Sequence, residues 1–219
     1  MLLMLQVLAN NQVDLIAEIR NFFAEDTVFQ GENTLLGYPR ASAIEARKLT
    51  PPPKESAVVF PIYQREGIWT TVFIQRPDGQ GVHSNQLAFP GGRIEDNESS
   101  KQAALRETFE EIGIPQSQIE LAGQLTEIYI PPSHFVVQPF IGLLPENPYF
   151  NGNPDEVIEL IEFPLSEFMK SDIIIEREVF IPKYNRTMVA KAFEVKGKIL
   201  WGATAMMVQE FRSRFGFHT

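Results

Sequence analysis

The chain has 219 residues, enough to bury one substantial core, and its 44% hydrophobic, 21% charged composition is that of a soluble globular protein. A formal net charge of −9 argues against a broad nucleic-acid surface, because duplex binding draws on many lysine and arginine contacts to phosphate. There is no cysteine, which excludes disulfides, thiolate catalysis and cysteine-ligated metal centres, and the three histidines, His83, His134 and His218, are too scattered for a structural zinc site.

In chain order, the N-terminus is apolar but has no basic start and soon meets Asn10, Asn11 and Asp14, so no secretory signal is expected. No apolar run approaches the roughly 20 residues that cross a bilayer, which makes a membrane partner unexpected and the cytoplasm the default location. Leu15, Ile16, Ile19, Phe22 and Phe23 have helical spacing, and Pro51 to Pro53 close the leader. Residues 1–55 therefore read as a helical extension packed on a domain spanning 56–219. Ala57 to Tyr63 and Trp69 to Arg76 read as strands of a hairpin turning at Arg65, Glu66 and Gly67. Arg76 ends its strand where a guanidinium can pair bidentately with phosphate.

Phe89, Pro90, Gly91 and Gly92 come next, and paired glycines let the backbone approach a ligand closely. Ser99 or Ser100 caps a helix that Gly113 stops. At 100° per residue, Glu110 and Glu111 lie roughly 60° behind and 40° ahead of Glu107, so three carboxylates share one face. Leu105, Phe109 and Ile112 recur on the other face, which predicts that the core aims the carboxylates outward. Like charges at Glu107 and Glu111 cost the helix roughly 0.2–0.5 kcal/mol, a cost that a bound Mg²⁺ or Mn²⁺ would remove.

Further strands are expected over Leu121 to Ile130, Val136 to Leu144, Val157 to Phe163 and Val179 to Pro182, with a hairpin turn at Lys196 and Gly197 and a final helix from Ala203 to Phe215. Pro145 to Pro154 is turn-rich and is expected to cover the site. Helices and strands mixed in this order fit an α/β class fold, an α/β/α sandwich around a mixed β-sheet. The composition leaves the oligomeric state open, a homodimer included.

Gly92, Glu98, Arg106, Glu107, Glu110, Glu111, Gly113 and Ile114 stand at the spacing G-x5-E-x7-R-E-x-x-E-E-x-G-I, which resembles the Nudix box. Thr108 is the one mild departure, at a position more often aliphatic. The resemblance implies the Nudix fold with a loop-helix-loop catalytic motif, divalent cations, and a small-molecule nucleotide substrate whose diphosphate is attacked by water. Carried over, it makes Glu107 and Glu111 the metal ligands, with Glu110 and the Gly92 carbonyl adding to the shell. Arg106 would orient these carboxylates through an ion pair with Glu98. The general base stays open, with Glu127, Glu156 and Glu159 as later-loop candidates.

Ahead of the box, VFIQR and HSNQLAFPGG resemble the coenzyme A diphosphatase subgroup through Arg76, His83, Gln86, Ala88, Phe89, Pro90, Gly91 and Gly92. Pro77, Gly81 and Asn85 depart from it. Gly81 stands where the subgroup has a second arginine, so another cation such as Arg93, or no cation, takes its place. Arg76, His83, Gln86, Phe89, Pro90, Gly91, Arg93 and Ser133 are the substrate-side candidates, Phe89 being either a stacking surface for a base or a buried ring. The resemblance implies cleavage of coenzyme A or acyl-coenzyme A to adenosine 3′,5′-bisphosphate and 4′-phosphopantetheine. The alternatives are a diphosphatase for ADP-ribose, NADH or a related compound, and a nucleotide-binding regulator without turnover.

Overall fold

Two long strands frame the molecule. In β3 (Lys54–Arg65) and β4 (Ile68–Gln75), β-branched and aromatic residues alternate between the two faces of a buried sheet. Glu66 and Gly67 join them at φ 51° and 78°, the positive pair a two-residue hairpin needs. The computed structural model describes residues 14–24, 34–35, 38–39, 42–77 and 86–215. Before β3 it contains α1 (Asp14–Ala24), the two-residue strands β1 (Thr34–Leu35) and β2 (Tyr38–Pro39), and α2 (Ala43–Ala46), which is capped by Ser42.

The hairpin stays paired only from Tyr63–Arg65 to Ile68–Thr70. Beyond that the two strands take different partners. β5 (Leu87–Ala88) pairs with β4, and β6 (Gly91–Arg93) pairs with β3. The glycine-rich segment is thereby held against the sheet, with Val59 N donating to Pro90 O at 2.8 Å. After the central helix α3 (Ser100–Ile112) come β7 (Glu120–Gln124), β8 (Ile128–Ile130), β9 (Phe135–Leu143) and β10 (Glu159–Pro164). The main path of the sheet runs β10-β4-β3-β9-β7, with β8 also on β9; β3 and β9 are parallel and the other pairs antiparallel, so the sheet is mixed.

Each face carries its own layer. Ala57 and Val59 pack with Ala103 and Ala104 of α3 and with Phe140, the alanines letting helix and sheet approach closely. Phe60, Ile62 and Phe73 face the other way, into a cluster with Ile19 of α1 and Met207, Val208, Phe211 and Phe215 of α5 (Gly202–Phe215). Each such buried side chain contributes roughly 1.5–3 kcal/mol of transfer free energy. This layer also includes a three-stranded sheet, β11 (Ile174–Ile181), β12 (Arg186–Val195) and β13 (Lys198–Leu200), which follows the one-turn helix α4 (Leu165–Phe168). The α/β/α layering agrees with the sequence. Among the described residues no helix is long and apolar enough to cross a membrane.

Two elements differ from the sequence pattern. The single strand expected over Leu121 to Ile130 is two strands. The register with β9 slips between Leu121 and Gly123, and Thr126 N turns away from the ladder to donate to Glu210 of α5 at 2.9 Å. The strand expected from Val179 begins at Ile174 and pairs along its whole length with β12. The turn at Lys196 and Gly197, with φ 49° and 77°, falls where expected.

Candidate active site

The site is assembled on α3, whose two ends are fixed by local chemistry. Ser99 Oγ accepts from Gln102 N at 3.3 Å while Gln102 Oε1 accepts from Ser99 N at 2.8 Å, a capping box, and Gly113 closes the helix at φ 75°. The predicted apolar face turns inward only in part: Ile112 is buried and Leu105 packs beside it, but Phe109 is 48% exposed, and Ala103, Ala104, Thr108 and Glu111 are buried instead. Close packing of small residues against β3 and β6 brings the acid-bearing face to the Gly91–Gly92 segment instead of to water. Glu111 is 1% exposed and Glu107 is largely shielded, while Glu110 remains on the surface.

Glu111 is held from two sides: Gly91 N donates to Oε2 at 2.7 Å, and Arg76 Nη2 lies 2.9 Å from Oε1 while also donating to Gly91 O at 2.6 Å. Burial outweighs these partners and pushes the Glu111 carboxyl up to about 7, with the charges of Glu107 and Glu156 adding to the shift. Burial also raises Glu107, against the pull of Arg106. Arg106 binds Glu98 through Nε and Nη2 at 3.1 and 2.7 Å, and places Nη1 2.8 Å from Glu107 and 3.1 Å from Glu110. Its hydrogen bonds hold Glu98 below the ordinary carboxylate range. Arg106 and Glu98 are therefore paired, with Arg106 also bonded to both neighbouring carboxylates, and Nη2 reaches Arg93 O at 3.1 Å. Gly92 leaves room for Glu107 at its observed position: a Cβ there would lie 2.3 Å from Glu107 Cδ and would displace the carboxylate.

These groups open onto a cavity of about 840 Å³. Arg76, Gln86, Gly91, Gly92, Arg93, Glu107, Glu111 and Ser133 all line it. Pro90 does not; its role is the carbonyl bond to Val59. Phe89 also borders the cavity, but it is 1% exposed, with its ring stacked on Phe60 and Phe73 at centroid distances of 4.2 and 4.9 Å, so most of its surface is spent on the core under the glycine turn. His83 lies outside the described residues. His134 points to Pro51 O and Tyr129 Oη, at 3.0 and 2.9 Å, and is not part of the lining.

Of the later-loop glutamates, Glu127 is paired with Arg47, at 2.7 Å, and Glu159 with Lys198, at 2.9 Å. Glu156 lines the cavity next to Asp155. The segment expected to cover the site does not line it; it docks on the end of α3, with Asn151 N donating to Ile112 O at 3.1 Å. The cavity also has an apolar wall, which includes Ile181, Met206 and Met207, that the sequence pattern does not announce. The adjacent methionines after the small residues Gly202 to Ala205 are its one faint signal.

A model of the NUDIX domain matches residues 52–184. The chain belongs to the Nudix family. It is 34% identical over 155 residues to a Yersinia enterocolitica protein named uncharacterized Nudix hydrolase NudL, covering 70% of this chain and 77% of that one. A Yersinia pestis protein of the same name is 32% identical over 157 residues, covering 71% and 77%. Among solved structures, the chain resembles a MutT/nudix family protein from Enterococcus faecalis, with 18% identity, TM-score 0.52 and coverage of 90% of this chain and 73% of that one. It also resembles the NUDIX domain of Shewanella oneidensis NrtR complexed with ADP ribose, with 15% identity, TM-score 0.50 and coverage of 74% and 88%. These two establish the shared fold. The protein is a Nudix hydrolase acting on a nucleoside diphosphate derivative, and such hydrolases generally use divalent metal ions.

Among the described residues no three acidic or histidine side chains converge closely enough to hold an ion unaided, since Arg76 and Arg106 stand between the carboxylates. The donor chemistry fits a hard cation all the same. A buried carboxylate with a raised pKa, a second beside it, and a glycine backbone lying against that second carboxylate form an oxygen-only set.

Proposed function

We propose that this Nudix hydrolase is a Mg²⁺- or Mn²⁺-dependent diphosphatase of coenzyme A or its acyl derivatives. The observation that carries the reading is the union, in one cavity, of the acidic end of α3 with Arg76 and an extended apolar wall, which suits a diphosphate joined to a long and partly apolar arm. The residues ahead of the box support the same substrate class.

Glu107 and Glu111, with Glu110 and the Gly92 carbonyl, would hold the ion. Once bound, the ion neutralises phosphate charge and lowers the pKa of water. Arg106, fixed by Glu98, keeps Glu107 and Glu110 in place. Glu156, the later-loop candidate that lines the cavity, takes the proton of the attacking water. The water oxygen bonds to one phosphorus as its bond to the bridging oxygen breaks, and that oxygen leaves on the other phosphate. Arg76, Arg93 and Ser133 line the same cavity and would orient the phosphates and the arm.

The test is to incubate the purified protein with Mg²⁺ and, separately, coenzyme A, ADP-ribose and NADH, and to identify products by mass. Release of adenosine 3′,5′-bisphosphate is the expected result. Preferential cleavage of ADP-ribose or NADH would reassign the substrate.

A further inference from the structure

The NUDIX match covers residues 52–184, yet one side of the cavity is built by chain outside it. Trp201, Met206 and Met207, on α5 and just before it, form that side, and Ile128 and Ile130 of β8 form another. A charge that the proposed mechanism does not use fixes one side against the other. Glu210 of α5 is fully buried, and its Oε1 accepts from Thr126 N at 2.9 Å, from Thr126 Oγ1 at 2.7 Å and from Arg214 Nη2. The Arg214 side chain is itself only 4% exposed, and its guanidinium lies 5.2 Å from the ring centre of Phe22 in α1.

Glu210 stands one turn beyond Met206 and Met207, about 40° and 60° from them around the helix, so its bonds to Thr126 fix the rotation of α5 and the direction of both methionines. On the other side, Thr126 N donates to this helix and not to the β9 ladder, and here the long strand expected from Leu121 breaks into β7 and β8. Ile128, on the cavity wall, follows two residues later. A buried ion pair is a poor source of stability, because apolar residues of similar volume often replace one without loss. What they cannot replace is an acceptor oxygen held at a fixed point.

We propose that Glu210 is a positioning residue for substrate binding: through Thr126 it sets the separation of α5 from β8, and with it the shape of the cavity; this rests on the reading of that cavity as the substrate site, not on which nucleoside diphosphate derivative enters it. Neither wall carries the groups assigned to the ion or to the attacking water. A shift of the walls therefore weakens bound substrate and transition state alike, which raises KM and spares kcat. The N-terminal helix joins the same brace through Arg214, so the segments on both sides of the family match act on the site.

The experiment compares wild type, Glu210→Gln and the double variant Glu210→Met with Arg214→Met, by thermal melt and by steady-state kinetics with Mg²⁺ on the fastest-cleaved of coenzyme A, ADP-ribose and NADH. Glutamine keeps an acceptor oxygen for Thr126 but leaves Arg214 buried without its counter-charge. Its melting temperature falls while KM stays within about twofold of wild type. The double variant removes both charges together with the acceptor. Its melting temperature returns close to wild type, yet KM rises at least about tenfold with kcat within about twofold. A merely structural role cannot separate KM from stability in this way. Wild-type KM in the double variant, or KM that follows melting temperature through both variants, would overturn the proposal. Where the double variant does not fold, Thr126→Val takes its place: it removes one bond to Glu210 without touching the charge pair, and a KM rise of at least about threefold is expected, an unchanged KM overturning the proposal. Wild-type cleavage of ADP-ribose or NADH in place of coenzyme A would remove the coenzyme A reading and leave this proposal to be judged on that substrate.

Discussion

Replacing Glu111 by glutamine removes a titratable group whose burial sets a measurable pH dependence. In the folded, metal-free protein its carboxyl is pushed from the ordinary 4.5 up to about 7, chiefly by burial. Below about pH 4.5 the group is neutral in both folded and unfolded chains, and its contribution to stability is fully present. As pH rises the unfolded chain ionises first, so stability is lost progressively until the folded carboxyl also ionises near pH 7. At 1.36 kcal/mol per pKa unit the whole loss is about 3 kcal/mol, of which about 2 kcal/mol falls between pH 5.5 and 8.

Glu111→Gln lacks this component. Its amide places an N–H₂ against either Gly91 N–H or Arg76, so the variant carries a constant cost of its own, and the informative quantity is the change of ΔΔG with pH. Urea unfolding in EDTA, followed by the fluorescence of Trp69 and Trp201, gives both curves. The wild type is expected to weaken relative to the variant by about 2 kcal/mol from pH 5.5 to 8. At pH 8, Mg²⁺ at 100 times its Kd should then restore about 2.7 kcal/mol to the wild type and little to the variant. Parallel curves in EDTA would show that Glu111 is not held in the desolvated position described, and the argument for a buried metal ligand would fail with it.

Gly92→Ala puts a Cβ 2.3 Å from Glu107 Cδ and must swing that carboxylate aside, so a loss of kcat/KM on the order of 10–100-fold is expected with little change in melting temperature. Steady-state kinetics beside a thermal melt checks it; unaltered turnover would detach Glu107 from the chemistry. Gly123→Ala would set a Cβ within 2.3 Å of Phe23 ring carbons, and overpacking there should cost roughly 1–3 kcal/mol in urea unfolding. Most of that cost should vanish in a Phe23→Ala background, and full additivity of the two changes would mean that α1 is not docked on β7 as proposed for the N-terminal extension.

The catalytic helix was legible because its signals are local. Ser99 and Gly113 mark its ends, and the spacing of Glu107, Glu110 and Glu111 fixes their common face. The two hairpin turns were legible for the same reason, each being a residue pair that accepts positive φ. What periodicity could not reveal is which face of an amphipathic helix meets the sheet. Ala103 and Ala104 turned inward, and Phe109, the more hydrophobic choice, was left exposed because only small side chains allow helix and β3 to come close. Phe89 raised a similar difficulty, since its place between Phe60 and Phe73 depends on strands distant in sequence. Glu127, Glu156 and Glu159 look alike in a single sequence; Arg47 and Lys198, folded in from elsewhere, separate the paired ones from Glu156.

The turn-rich segment after β9 shows how the site's position is enforced. Asn151 N takes the carbonyl of Ile112, and Gly152 sits so close to the helix that a Cβ there would lie 2.3 Å from Glu111 O. The last turn of α3, which carries Glu111, is therefore clamped by backbone contacts that no side chain could wedge apart. Two residues farther on, Asn153 holds Glu156 through Nδ2 at 3.1 Å, and Asp155 and Glu156 reach the cavity. One short segment thus both locks the buried carboxylate and delivers the candidate base. That coupling matters because Glu111 pays for its burial: an ionised carboxylate at this depth would otherwise relax toward water, and the clamp, with Gly91 N–H and Arg76, is what denies it that relaxation.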